Sequence, residues 1–322
     1  MHSRRYSAIA LAVGCLAAYG AAAQTYPAKP IRLVVPSSPG GGTDITGRIL
    51  ANKLTELLAQ QVVVDNRSGA GTRIGNEIVA KSPPDGYTLL MGLSTLAIIP
   101  AVYKSVSYDG LKDFAPISQA VSVPNVLVVH PSLPVHSVKD LIALGKKRPG
   151  ELAAGSAGTG TNPHLSLELF RSMAGIELVH VPYKGSGPGA VALLAGEIAI
   201  LFPSLPTATS HIKTKRVRPL GVTTATRADT LPEVPSIAEA GLPGYEATQW
   251  FGVLAPAGTP RAIVDRLHKA SVAALKSPDV RQQLLSQGAQ IVASSPDQFS
   301  AYIRAETEKW ARVVRAAGIT PQ

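Results

Sequence analysis

Cysteine is almost missing from this sequence: Cys15 is the only one in 322 residues. No disulfide can form within the chain, and no Cys-ligated zinc or iron–sulfur site can be built. Aromatic residues make up 5%, too few for a nucleic-acid platform of stacked rings. Charged residues are sparse at 16%, whereas 45% of the chain is hydrophobic, a balance that excludes intrinsic disorder. Past the N-terminus no apolar run approaches the roughly 18 residues of a membrane span. The nearest, Gly86–Val102, is interrupted by Thr88, Ser94, Thr95 and Pro100. The seven histidines are dispersed, with no H-E-x-x-H and no close pair backed by carboxylates, so no metal and no cofactor are expected. Gly145-Lys146 lacks the upstream glycine spacing of a Walker A loop.

What is present begins with charge. The formal net charge is +10, and the basic residues are scattered apart from Lys146–Lys147–Arg148 and Lys213–Lys215–Arg216–Arg218. Without a nucleic-acid-binding motif around them these clusters read as solvated faces, and no nucleic-acid partner is expected. Arg4 and Arg5, the apolar stretch Ala8–Tyr19 and the small residues Ala21-Ala22-Ala23 form the three parts of a secretory signal peptide over residues 1–23, cleaved near Ala23. Lipidation at Cys15, after Ala12-Val13-Gly14, is the alternative. The mature chain is expected to be exported, soluble and monomeric.

Apolar runs then alternate with helical patterns. Ile31–Pro36, Gln61–Asp65 and Tyr87–Gly92 read as strands; the residues from Ile45 to Leu58 and from Thr72 to Lys81 read as helices. This βαβ alternation predicts a parallel sheet covered on both faces. Phe114–Val123 and Val126–His130 look extended, and a second alternation follows: helices Val138–Lys147, Pro163–Ala174 and Pro188–Ala195, strands Glu151–Gly155, Leu178–Val181, Ile198–Phe202 and Val217–Thr224. Strand Thr248–Ala255 and helices Pro260–Lys276 and Pro296–Ala317 complete it. The pattern predicts an α/β chain of two lobes, residues 24–122 with 223–322 forming the first and 123–222 the second, crossed near 114–125 and 217–224.

Ligands of open α/β sheets bind beyond the carboxyl ends of the strands, so the strand-to-helix turns are the places to look. Ser37-Ser38-Pro39-Gly40-Gly41-Gly42-Thr43-Asp44 offers exposed amides and hydroxyls at a helix start, suited to an anion. Gly41 is the glycine at which an added side chain is expected to block the backbone's approach to the ligand. Ser156-Ala157-Gly158-Thr159-Gly160 precedes a second helix start with His164 in its first turn. Tyr183-Lys184-Gly185-Ser186 adds a cation, and Ser94-Thr95 closes a strand with two hydroxyls. Turns of one chemistry in both lobes suggest a cleft that clasps an anion. Gly69-Ala70-Gly71-Thr72-Arg73-Ile74-Gly75 is one residue too long for a dinucleotide fingerprint and reads better as a plain turn. Ala154-Gly155-Ser156-Ala157-Gly158 approaches a nucleophile elbow, and a serine hydrolase using Ser156, Asp229 or Asp265, and His268 is the competing reading.

These residues resemble the Bug family, the extracytoplasmic solute receptors of tripartite tricarboxylate transporters. The matching features are Tyr26-Pro27-x-Lys29-Pro30-Ile31, Pro39-Gly40-Gly41-x-x-Asp44 with Arg48, Asn66-Arg67-x-Gly69-Ala70-Gly71, and Pro84-Asp85-Gly86-Tyr87. They continue through Asp113-Phe114-x-Pro116-Ile117, Gly155-Ser156-Ala157-Gly158-x-Gly160-x-x-x-His164-Leu165, Val181-Pro182-Tyr183-Lys184-Gly185 and Leu231-Pro232-x-Val234-Pro235. The resemblance implies a two-lobe periplasmic binding protein fold of the type II arrangement, closing on a carboxylate without a cofactor. It also implies a periplasmic location, membrane transporter subunits as partners and no enzymatic activity. Ligand contacts are implied for Ser37–Asp44, Ser94, Thr95 and Ser156–Gly160. The sequence departs from the family at Ser204, where an acid or amide is frequent, in the stretch Ser94–Pro100, and at Ser68 and Thr72, which replace a proline and a glycine.

Overall fold

The computed structural model describes residues 26–316 and 321; the expected signal peptide and Cys15 lie outside them. The chain enters the first lobe with β1 (Ile31–Val35), α1 (Gly42–Leu58), β2 (Val62–Asn66), α2 (Arg73–Ala80), β3 (Thr88–Leu93), α3 (Thr95–Val102) and β4 (Phe114–Pro124). It crosses at Asn125 into β5 (Val126–Val129), α4 (Val138–Lys147), β6 (Ala153–Ser156), α5 (Asn162–Ala174) and β7 (Val179–Pro182). There it continues through α6 (Ser186–Leu194), β8 (Ile200–Leu201), α7 (Leu205–Lys213) and β9 (Arg218–Val222). The return path holds β10 (Thr248–Pro256), α8 (Arg261–Lys276), α9 (Pro278–Ser286), β11 (Gln290–Ile291) and α10 (Pro296–Ala316).

Two sheets result, ordered β11-β4-β10-β3-β1-β2 and β7-β6-β8-β5-β9. Neither is wholly parallel, in contrast to the expectation from alternation. β1 pairs in parallel with β2 and β3, and β6 with β7 and β8, but β10 runs against β3 and β4, and β5 against β8 and β9. The reason is connectivity. β5 and β10 are the strands that enter a lobe from the other lobe, so they run away from the junction while their neighbours run toward it. Short β11 adds a further antiparallel edge on β4.

Helices cover both faces of each sheet, which is why β1 is apolar apart from Arg32 and β3 is apolar after Thr88. One face of the first sheet packs Leu33 and Met91 against Leu50 and Leu54 of α1 and Leu267 and Ala274 of α8. The other packs Val34, Leu90 and Trp250 against Val79 of α2, Leu96 of α3, and Phe299 and Ile303 of α10. In the second lobe Leu127, Val129 and Ile200 meet Leu141, Leu165 and Phe170, and Val126 and Val128 meet Leu193, Leu205 and Ala208. Residues 223–247, which the division at 222 gives to the first lobe, bury Ile237, Leu242, Tyr245 and Ala247 in this second core. α10 spans both lobes: Phe299 and Ile303 sit in the first, Trp310 and Val314 in the second.

The junction is a buried polar knot. Asn125 N–H donates to Thr223 Oγ1 (2.9 Å), and Thr223 N–H to the Asn125 carbonyl (3.0 Å). The Asn125 side-chain amide donates to Asn162 Oδ1 (2.7 Å) and Ser166 Oγ (2.9 Å), and accepts from Gln249. Asn162 donates to the Thr248 carbonyl (2.8 Å). Both strand crossings and the start of α5 are thus tied at one point, where a lost partner would leave a buried polar group at a cost of about 1–3 kcal/mol.

Candidate ligand cavity

The strands that run toward the junction deliver their following helices to one place. The N-cap residues of five helices line a single cavity between the lobes: Gly41 of α1, Thr72 of α2, Thr161 of α5, Gly185 of α6 and Ser204 of α7. Pro36, Ser37, Gly42, Thr43, Ser186 and Ala157 share the wall, with Leu93, Gln249 and Phe251 from the first sheet. No aspartate or glutamate is among the lining residues, and the only cation, Lys184, is exposed. The cavity volume is about 60 Å³. Ser37 is 8% exposed, and its hydroxyl has no partner in the protein. Helix N-termini and an unpartnered hydroxyl around a space without a carboxylate have the chemistry to hold an anion.

The lobes touch on both sides of this cavity. Ser38 donates to the Lys184 carbonyl through its hydroxyl (2.8 Å) and its amide (3.2 Å), and Tyr103 OH donates to the Thr159 carbonyl (3.1 Å). The chain is therefore in its closed arrangement. Gly41 is not the tightest glycine: its φ is −82° and an added Cβ would lie 3.6 Å from its nearest neighbour. Gly42 is, because a Cβ there would run into Ser204 Oγ of the facing lobe.

Of the residues expected at the site, Ser37, Gly41, Gly42, Thr43, Ala157, Lys184 and Ser204 line the cavity; Ser38, Gly40, Asp44, Ser94, Thr95, Ser156, Gly158, Thr159, Gly160 and His164 do not. Asp44 instead shapes the first loop. Its carboxylate accepts from the Gly40 amide, Arg48 and Asn66, each at 3.0 Å. Burial opposes ionisation of Asp44, but these hydrogen bonds outweigh it and hold the group below the usual carboxylate range. Ser38 is used in the cross-lobe contact, and Ser94 and Thr95 are fully buried at the start of α3. Ser156 Oγ lies 2.7 Å from His180 Nε2 and accepts from the Gly158 amide (3.1 Å); His164 Nδ1 accepts from the Gly160 amide (3.2 Å). The two imidazoles stack with centroids 4.2 Å apart. They support the second loop from beneath.

The hydrolase constellation is not assembled. Ser156 meets His180 and not His268, whose Nδ1 is 3.1 Å from the Ile117 carbonyl in the other lobe, and Asp265 is paired with Arg261. Several lining residues had no strong signal in the sequence. Gln249, Phe251 and Leu93 are strand residues brought in by register, Leu93 lying opposite Phe251. Gly69, Ala70, Gly71 and Thr72 were legible only as a glycine turn, and Thr161 and Ser186 only as parts of loops.

Comparison with known proteins agrees with this geometry. The profile of the tripartite tricarboxylate transporter family receptor matches residues 46–319. BugT of Bordetella pertussis is 42% identical over 298 residues, covering 92% of this chain and 91% of that protein. The solved structure of R. palustris Rpa4515 with adipate superposes with a TM-score of 0.90 at 41% identity, covering 92% of this chain and 100% of that one. The periplasmic binding protein BugD gives a TM-score of 0.90 at 32% identity over the same shares. With two lobes, a cleft between them and a match along nearly its whole described length, the chain belongs to the tripartite tricarboxylate transporter receptor family, the Bug proteins among them.

Proposed function

We propose that this chain is a periplasmic receptor that captures a small organic carboxylate between its lobes and hands it to membrane subunits of a tripartite transporter. The observation that carries the reading is the convergence of five helix N-caps on one cavity that has no acidic lining residue and no buried cation. Each helix end favours a nearby negative charge by about 0.3–1 kcal/mol, more where partly buried. Two of the ends belong to the first lobe and three to the second, so apposing them without an anion brings like partial charges together. A bound carboxylate reverses the sign of that interaction, and capture and closure become one event. That a related receptor was solved with adipate supports the ligand class.

The same reading assigns no chemistry to the chain: Ser156 and His180 are spent on holding a loop. Binding by a monomer is part of the same proposal. The lobes divide at the Asn125–Thr223 knot, with residues 223–247 joined to the second. No helix among the described residues is long and apolar enough to cross a membrane, which fits a receptor that meets its transporter from outside the bilayer. The test is a thermal-shift screen of the purified protein against carboxylates, each paired with its amide. A ligand at 100 times its dissociation constant stabilises by about 2.7 kcal/mol. Equal stabilisation by an acid and its amide would refute the anion cavity.

A further inference from the structure

One wall of the cavity is strained. Ala70, Gly71 and Thr72 all have left-handed backbones, with φ of 47°, 63° and 80°. Glycine adopts this region without penalty; a β-branched residue at φ 80° is an outlier that persists only where its surroundings hold it. Here they do. Thr72 N–H donates to the Gly69 carbonyl (3.0 Å), and Arg73 donates from Nε to the Ala70 carbonyl (3.0 Å) while its guanidinium covers the Tyr103 ring at 3.9 Å. Thr72 itself is 6% exposed and lines the cavity. Its hydroxyl lies 3.4 Å from the side-chain amide of Asn76.

We infer that Thr72 is a specificity-determining residue: its branched side chain, held in the cavity by a strained turn, limits the length of acid that the closed lobes accept. The inference rests on the carboxylate reading above and adds to it the residue that selects among carboxylates. On one side the turn is hemmed in by the facing lobe, since a Cβ on Gly71 would run into the Thr159 carbonyl. The limit is therefore set by the side chain, whose removal deletes a hydroxyl, a methyl and the carbon that carries them.

The test compares wild type, Thr72→Gly and Thr72→Val by calorimetric titration with unbranched dicarboxylates from succinate to suberate. Each methylene newly buried contributes about 0.8 kcal/mol, or roughly fourfold in affinity. Thr72→Gly is expected to move the preferred acid to a longer one, changing the affinity ratio of long to short acids by at least tenfold. Thr72→Val keeps the shape, so the preferred length stays. Without ligand, Thr72→Gly is expected to melt no lower than wild type, since glycine relieves the left-handed strain. A ranking in Thr72→Gly within twofold of wild type overturns the inference and leaves the carboxylate reading standing. A Thr72→Val ranking that shifts like that of glycine overturns it too, by assigning selection to the hydroxyl. Wild type that binds none of the acids, although each monoamide binds, overturns both.

Discussion

Acid should weaken this protein well before its carboxylates protonate, and the stacked pair under the second loop is the cause. Burial, with a contribution from Arg171, lowers the His164 imidazole to about 4. Burial, then the neighbouring His164 and Arg171, lowers His180 to about 4, and the Glu168 carboxylate only partly opposes this. In the unfolded chain both titrate near 6.5. The folded form therefore binds fewer protons as pH drops below 6.5, so stability present at neutral pH is lost between about 6.5 and 4. For one such group the loss between pH 7.5 and 5 is about 2 kcal/mol. His180 is partly open to water, so the pair together should contribute about 3 kcal/mol. Protonation also turns the His164 acceptor for the Gly160 amide into a donor facing a donor. Urea unfolding at pH 7.5, 6 and 5 reads this out through the buried Trp250 and Trp310. With m of about 3 kcal/mol/M the midpoint should fall by roughly 1 M. His180→Gln, whose amide can still meet Ser156, should lose about half of that fall. A midpoint flat from pH 7.5 to 5, or an undiminished fall in His180→Gln, would refute the assignment.

Two further substitutions probe closure. Tyr103→Phe removes the cross-lobe hydrogen bond to Thr159, a net contribution of about 0.5–1.5 kcal/mol, so calorimetry should show ligand affinity two- to tenfold weaker with the unliganded melting temperature little changed. Gly42→Ala places a Cβ against Ser204 Oγ; overpacking of this kind costs about 1–3 kcal/mol, so binding should weaken about fivefold or more and recover in Gly42→Ala with Ser204→Gly, and wild-type affinity in the single variant would contradict the closed geometry.

Much of this architecture could be read before any coordinates. α4 was expected at Val138–Lys147, its observed span, because Ser137 caps it through the Asp140 amide (3.1 Å) and its apolar residues keep the helical period. α3 was hidden because it is apolar on nearly every side, being packed between both lobes, and carries Pro100 within it. α7 holds two threonines and a proline, and α9 starts directly behind α8, so neither shows a clean amphipathic stripe. At the cavity, glycine-rich turns before helices were visible as anion cradles, since capping chemistry is local. Which atoms of those turns face the ligand is not local. Asp44 and Ser156 carry the right groups, but their tertiary partners Asn66 and His180 engage them in bracing the loops. Gln249 and Thr72 were overlooked because register and backbone handedness, not residue type, bring them to the wall.

The helix α10 alters what opening can mean for this molecule. Two strand crossings alone make a door hinge, on which one half swings at little cost. A third connection whose ends are anchored by Phe299 and Ile303 in one core and Trp310 and Val314 in the other makes a spring clip. To gape, the clip must bend its helix or draw one aromatic anchor from its seat, so the travel of the jaws is bounded by what that helix can give. Such a device keeps the opening narrow and its two halves in register, and it leaves the ligand to decide when they meet.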